Sequence, residues 1–189
     1  MVESARSAGY TTGYGFYRLN DRYIMQSFQA PKPYFQLNLM AERKPSITIL
    51  MADDDEDDRI LTQEALVECR LANDLHFVND GEELMDYLCR RGKYSDRHDA
   101  PRPGLILLDL NMPRKDGREA LKEIKEHPEL RHIPIVILTT SKAEEDVYRS
   151  YNLGANSYIT KPVTFDSLVN VMKALGRYWF EIVELPNQE

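Results

Sequence analysis

Four stretches of this 189-residue chain run through aliphatic residues and then stop on a polar side chain that could do chemistry. ITILMADDD closes on Asp53, Asp54 and Asp55, LILLD on Asp109, IPIVILTT on Thr139 and Thr140, and NSYITKP on Lys161. Several carboxylates gathered in one place raise one another's pKa and repel unless a positive charge sits among them. A divalent cation resolves that conflict. The ligands are hard oxygens with no thiolate or imidazole nearby, which points to Mg²⁺, an ion that keeps waters and uses one or two carboxylates plus phosphate oxygens. Lys161 adds a mobile point charge suited to a phosphate or a carboxylate.

A carboxylate beside Mg²⁺ and a lysine is the setting for an aspartyl phosphate. Attack by Asp on a phosphoryl donor leaves charge on the equatorial oxygens, which the cation, the Lys161 ammonium and the Thr139 hydroxyl can all meet. Asp109 is the expected nucleophile because it alone stands singly on its strand. Asp53 and Asp54 are expected to hold the metal. Asp55 is read as a step back from the cation or exposed, and Asp57 and Asp58 as helix N-terminal residues that complement the dipole.

The elements that must position these residues follow from the hydrophobic pattern. From Ser46 on, short aliphatic runs alternate with amphipathic stretches, as in a parallel sheet covered by helices. Strands are expected in ITILMA (47–52), DLHFVND (74–80), LILLDL, IPIVILTT and NSYITKP. The helices are expected in DRILTQEALVECR (58–70), GEELMDYLCRRG, REALKEIKEH, AEEDVYRSYNLG and the long final TFDSLVNVMKALGRYWFEIVEL. In the first helix, Ile60, Leu61, Ala65 and Val67 fall on helical spacing. In the last, Leu168, Met172, Leu175, Trp179 and Ile182 make a continuous inward stripe, with Thr164 as N-cap and Phe180 off the stripe as an exposed aromatic. Five strands alternating strictly with five helices predict a doubly wound α/β domain with right-handed crossovers, whose ligand site lies beyond the carboxyl ends of the strands.

In this order and spacing, ILMADDD, LILLDLNMPRKDG, IVILTTS and SYITKP resemble the receiver domains of two-component response regulators, across essentially all of Ser46 to Glu184. The resemblance implies the flavodoxin-like, CheY-like fold, Asp109 as phosphoacceptor and Asp53 with Asp54 as the acidic pair. It also implies the backbone carbonyl of Asn111 as a further Mg²⁺ ligand, Thr139 as switch hydroxyl, Tyr158 as switch aromatic, and Lys161 as phosphate partner before a cis Pro162. Thr140 departs from the smaller Ala or Gly usual in the family and should tighten access to the phosphoryl group, while Ser141 and Asn111 should shape how fast water reaches it. The loop RRGKYSDRHDAPRPG and the ending RYWFEIVELP resemble the small stand-alone regulators of bacterial and cyanobacterial phytochrome histidine kinases, family members that often dimerise. The expected input is therefore a histidine kinase, with a phytochrome-type kinase as the specific expectation. The expected output is contact with a downstream protein, because the few residues after the last helix cannot form a DNA-binding domain.

Composition narrows the alternatives. Net charge −7 argues against general nucleic-acid binding, which needs clustered Lys and Arg. No stretch reaches the ~18 apolar residues of a membrane span and no leader segment is visible, so a cytoplasmic protein is expected. Cys69 and Cys89 read as reduced structural thiols. Residues 1–45 form a different region, with eight of the eighteen aromatics, six basic residues against three acids, and no sustained periodicity, which leaves about −10 on the remainder. Three readings of this arm compete: a flexible tail ending in the linker APKP, an upstream extension of a chain that starts near Met40, and an aromatic arm docking on a partner or membrane. The expected organisation is an arm at 1–45, a receiver domain at 46–184 and a tail at 185–189. Two other functions remain in view, a Mg²⁺-dependent phosphohydrolase working through an aspartyl phosphate and an unphosphorylated interaction module. The first commonly needs an acid two residues after the nucleophile, where this chain has Asn111.

Overall fold

The structure, a computed structural model, describes residues 10–19, 22–31, 47–71, 73–96 and 100–186. The chain divides into two units, Met1–Lys44 and Pro45–Glu189. In the first, β1 (Tyr10–Leu19) pairs antiparallel with β2 (Arg22–Pro31), in a register that sets Tyr10 opposite Pro31 and Leu19 opposite Arg22. A stretch expected to lack regular structure thus contains a two-stranded ribbon. Its Tyr, Phe, Ile and Thr content favours extended backbone, a propensity that outweighs the absence of a clean alternation. Residues 1–9 and 32–46, including the end of APKP and the Met40 start, lie outside the described residues, as do 187–189 of the expected tail.

The second unit holds one parallel sheet. Its strands are β3 (Ile49–Ala52), β4 (Leu75–Val78), β5 (Leu105–Leu108), β6 (Ile135–Thr139) and β7 (Ser157–Thr160), in the order β4-β3-β5-β6-β7. Five helices alternate with them: α1 (Glu56–Glu68), α2 (Gly81–Leu88), α3 (Gly117–Glu126), α4 (Glu144–Asn152) and α5 (Phe165–Gly176). The chain leaves β3 for β4 on one side and returns to β5 on the other, so the direction of winding reverses between β3 and β5. Ligands in open α/β sheets bind beyond the strand ends at such a reversal.

Both faces of the sheet are covered, which is why the strands read as unbroken aliphatic runs. Successive residues point to opposite faces. Leu50, Ala52, Ile106, Leu108, Ile135 and Ile137 pack with Leu84, Leu121 and Ile124 on the α2/α3 side. Ile49, Met51, Leu105, Leu107, Val136 and Leu138 pack with Ala65, Leu66, Leu168 and Met172 on the α1/α5 side. Asp55, Asp80, Asp116 and Thr164 cap α1, α2, α3 and α5 through their side-chain oxygens, so four helices start at defined residues just past a strand end or loop.

Two helical faces differ from the sequence expectation. In α1 the buried residues are Thr62, Ala65 and Leu66, whereas Ile60, Leu61 and Val67 are exposed, Val67 at 71%. The true inner stripe uses Thr62 and closes with Cys69, whose Sγ donates to the Val169 carbonyl at 3.4 Å, and these small residues look less apolar in sequence than their neighbours. The final helix does not continue to Ile182 as regular α-helix: Arg177–Ile182 forms a π-helical turn. The wider turn rotates the side chains that follow. Trp179 stays buried, Ile182 swings out to 61% exposure, Phe180 packs against the core, and Tyr178 takes the exposed position instead. Among the described residues no helix is long and apolar enough to cross a membrane, and both cysteines are free thiols.

Candidate functional site

Backbone pairing fixes the site first. The register sets Ala52 beside Leu108, so the next residues, Asp53 and Asp109, leave neighbouring strands at the same level, and Asp109 N–H donates to the Ala52 carbonyl at 3.0 Å. On the other side Thr139 and Thr160 are partners, and Lys161 N–H donates to the Thr139 carbonyl at 2.7 Å. Beyond Asp109 the chain must double back at once. It does so through Gly117, whose N–H donates to the Leu110 carbonyl at 2.9 Å and whose missing Cβ would lie 2.0 Å from the Asp109 carbonyl oxygen. Only glycine permits that approach. The same loop is tied sideways to the start of α2, where Gly81 N–H donates to the Lys115 carbonyl at 3.0 Å and Arg114 pairs with the buried Asp80.

Three of the expected residues converge as carboxylates. One oxygen each from Asp53, Asp54 and Asp109 lie within 4.8 Å of one another. Asp53 and Asp109 are buried and Asp54 is exposed. Asp53 Oδ1 accepts from Asp55 N–H at 3.1 Å, while Oδ2 lies 2.8 Å from Lys161 Nζ without receiving a well-directed hydrogen bond. A buried carboxylate oxygen left in that state suits a cation. Burial pushes the Asp53 carboxyl up to about 6; Lys161 opposes the shift and the neighbouring Asp109 charge adds to it. The trio of hard oxygens fits a divalent cation of the Mg²⁺ class.

Lys161 joins this group. Its ammonium reaches Asp58 Oδ2 at 2.6 Å, Asp53 Oδ2 at 2.8 Å and Asp109 Oδ2 at 2.9 Å. Burial works against its charge, yet the hydrogen bonds and charges of these carboxylates prevail and raise its pKa above the ordinary value. Asp109 Oδ1 meanwhile accepts from Asn111 N–H at 3.2 Å, which places residue 111 beside that carboxylate through its backbone.

Of the other expected residues, Thr139 is buried and its Oγ1 accepts from Ser141 N–H at 3.4 Å, whereas Thr140 is exposed. Tyr158 is half-buried against the α2/α3 core, and its hydroxyl donates to the Ser141 carbonyl at 3.1 Å. The cis bond expected at Pro162 is corrected: no peptide bond among the described residues is cis. The trans form of an X–Pro bond is the lower in energy by about 0.5–1 kcal/mol, and Lys161 meets its carboxylates with the trans bond in place.

Sequence reasoning missed two parts of the site. Asp58 was read as a dipole partner, yet it makes the shortest of the lysine's three contacts. The second part is a polar chain beside Thr139, in which Arg118 holds Asp146 through two bonds, Nε to Oδ1 at 2.8 Å and Nη2 to Oδ2 at 2.6 Å, and Ser141 Oγ donates to the same Oδ2 at 2.6 Å. The Arg118 guanidinium, helped by the Ser141 hydroxyl, holds the Asp146 carboxyl down at about 2. For Asp58, three residues after the N-cap Asp55, the sequence offers an equally sound role at the helix start. No sequence signal existed for the pairing of Arg118 with Asp146, which are 28 residues apart.

A doubly wound sheet in the order β4-β3-β5-β6-β7, with an acidic pair, a lone aspartate and a lysine on its strand ends, defines a receiver-type signalling domain. Residues 49–173 match the family model of the response regulator receiver domain, and the chain belongs to that family. It is 43% identical over 145 residues to the response regulator Rcp1 of Synechocystis sp., an alignment covering 77% of this chain and 97% of Rcp1. The solved structure of the phosphorylated cyanobacterial phytochrome response regulator RcpA is similar, with 42% identity and a TM-score of 0.70 over 75% of this chain and 99% of that one. The Mn²⁺-bound form of Rcp1 gives 42% identity and a TM-score of 0.68 over the same shares of the two chains.

Proposed function

We propose that this protein is a phosphorylation switch in which Asp109 accepts a phosphoryl group from a histidine kinase. The observation that carries the reading is the buried pairing of Asp109 with Lys161 and Asp53 at the reversal of the sheet. An oxygen of Asp109 attacks the phosphorus of a phosphohistidine, the P–N bond breaks, and its electron pair stays on the imidazole. Lys161 transfers one of its hydrogen bonds to a phosphoryl oxygen, and the Thr139 hydroxyl serves another. Asp53, Asp54, Asp109 and the Asn111 carbonyl would hold Mg²⁺, which would supply neutralisation of charge on the phosphoryl oxygens. Thr140 bounds the approach to the group, and Tyr158 responds to the position of Thr139. The relatives described as phytochrome response regulators support a phytochrome-type kinase as the donor, and the output is read as contact with a downstream protein or a second copy of the chain.

Incubation with Mg²⁺ and a small phosphodonor, followed by intact mass measurement, is expected to show one added phosphoryl group, and none after Asp109→Asn. An unchanged mass in the native protein, or undiminished addition in the variant, overturns the reading.

A further inference from the structure

An ammonium has three N–H donors, and three carboxylates surround that of Lys161. They are not equivalent. Asp53 and Asp109 belong to the trio whose oxygens can close on a cation, and Asp58 does not. Asp58 sits in the first turn of α1, a third exposed, with its backbone N–H on the cap oxygen of Asp55 at 3.4 Å and its carboxylate 2.6 Å from the lysine. A cation that takes the oxygens of Asp53 and Asp109 draws them away from Lys161 and repels the ammonium as well. The carboxylate of Asp58 remains available to it.

We propose that Asp58 is a positioning residue, the anchor that keeps the Lys161 ammonium at the site once a divalent cation engages Asp53 and Asp109. The inference rests on the cation-binding reading of the trio, and it makes a distinctive claim: Asp58 matters to the lysine with the cation bound and hardly at all without it. Metal-free, Asp53 and Asp109 still hold the lysine.

Asp58→Asn tests this, with Asp57→Asn as control, because Asp57 is an exposed neighbour whose substitution removes the same charge without touching Lys161. Labelling of Lys161 by an amine-acylating reagent at fixed pH is read by peptide mass spectrometry, with and without saturating Mg²⁺, and cation binding is followed separately by calorimetry. Loss of one charge-assisted bond corresponds to about tenfold faster labelling of Asp58→Asn with Mg²⁺ bound. Little change is expected in its metal-free form, or in Asp57→Asn under either condition. Native labelling rates in Mg²⁺-loaded Asp58→Asn, or an equal effect from Asp57→Asn, overturn the anchor alone. No cation binding to the native protein overturns the anchor together with the reading beneath it.

Discussion

Asp53 has no exposed surface, and burial favours its neutral form. It therefore contributes most to folding below its ordinary pKa of 3.8 and loses that contribution as pH rises through about 6. Without divalent cation, Asp53→Asn, which is neutral at every pH, is expected to gain stability relative to the native protein between these values and to hold a constant margin above them. Paired denaturant titrations across that range check the sign, and a margin that shrinks with rising pH contradicts it. The residues with this character were legible in sequence because a carboxylate that ends an aliphatic run must be either desolvated or used. Asp58 was not, because the same acidic stretch offers an equally sound role at a helix start, and only the position of α1 against the sheet brings its carboxylate to Lys161.

Among the elements, the loop from Asp109 to α3 is the most constrained. Gly117→Ala places a Cβ where the Asp109 carbonyl oxygen already sits, so backbone must move rather than a flexible side chain. A loss of about 1–3 kcal/mol or more is expected, in the range of overpacked interiors. Because the displaced atoms belong to Asp109 itself, the cation affinity measured by calorimetry should fall with it; full stability with native affinity contradicts this account. The elements themselves were readable from sequence, since parallel strands buried on both faces leave aliphatic runs and the last helix carries the cap Thr164. The helix faces were less readable. Thr62 and Cys69 hide the inner stripe of α1, and the π-helical turn after Gly176 breaks a periodicity that sequence alone extends to Ile182.

At the scale of the molecule, the site depends on a sheet packed on both sides. Leu107 lies in the α1/α5 layer two residues before Asp109 and is 2% exposed, so Leu107→Ala should cost about 2–5 kcal/mol in denaturant unfolding. A cost near zero means that the layer closes over the gap. The ribbon of β1 and β2 was the part least legible in sequence, because its strand propensity comes from aromatic content rather than from alternation. The polar chain around Ser141 has a different consequence. This residue uses its carbonyl to receive Tyr158 from β7 and its hydroxyl to hold Asp146 on α4, which is clamped to Arg118 on α3. A shift of this single residue therefore loosens both bonds together, so the loop after Thr139 behaves as a latch with two bolts on one handle, tying the Tyr158 side chain of β7 and the start of α4 to the same movement.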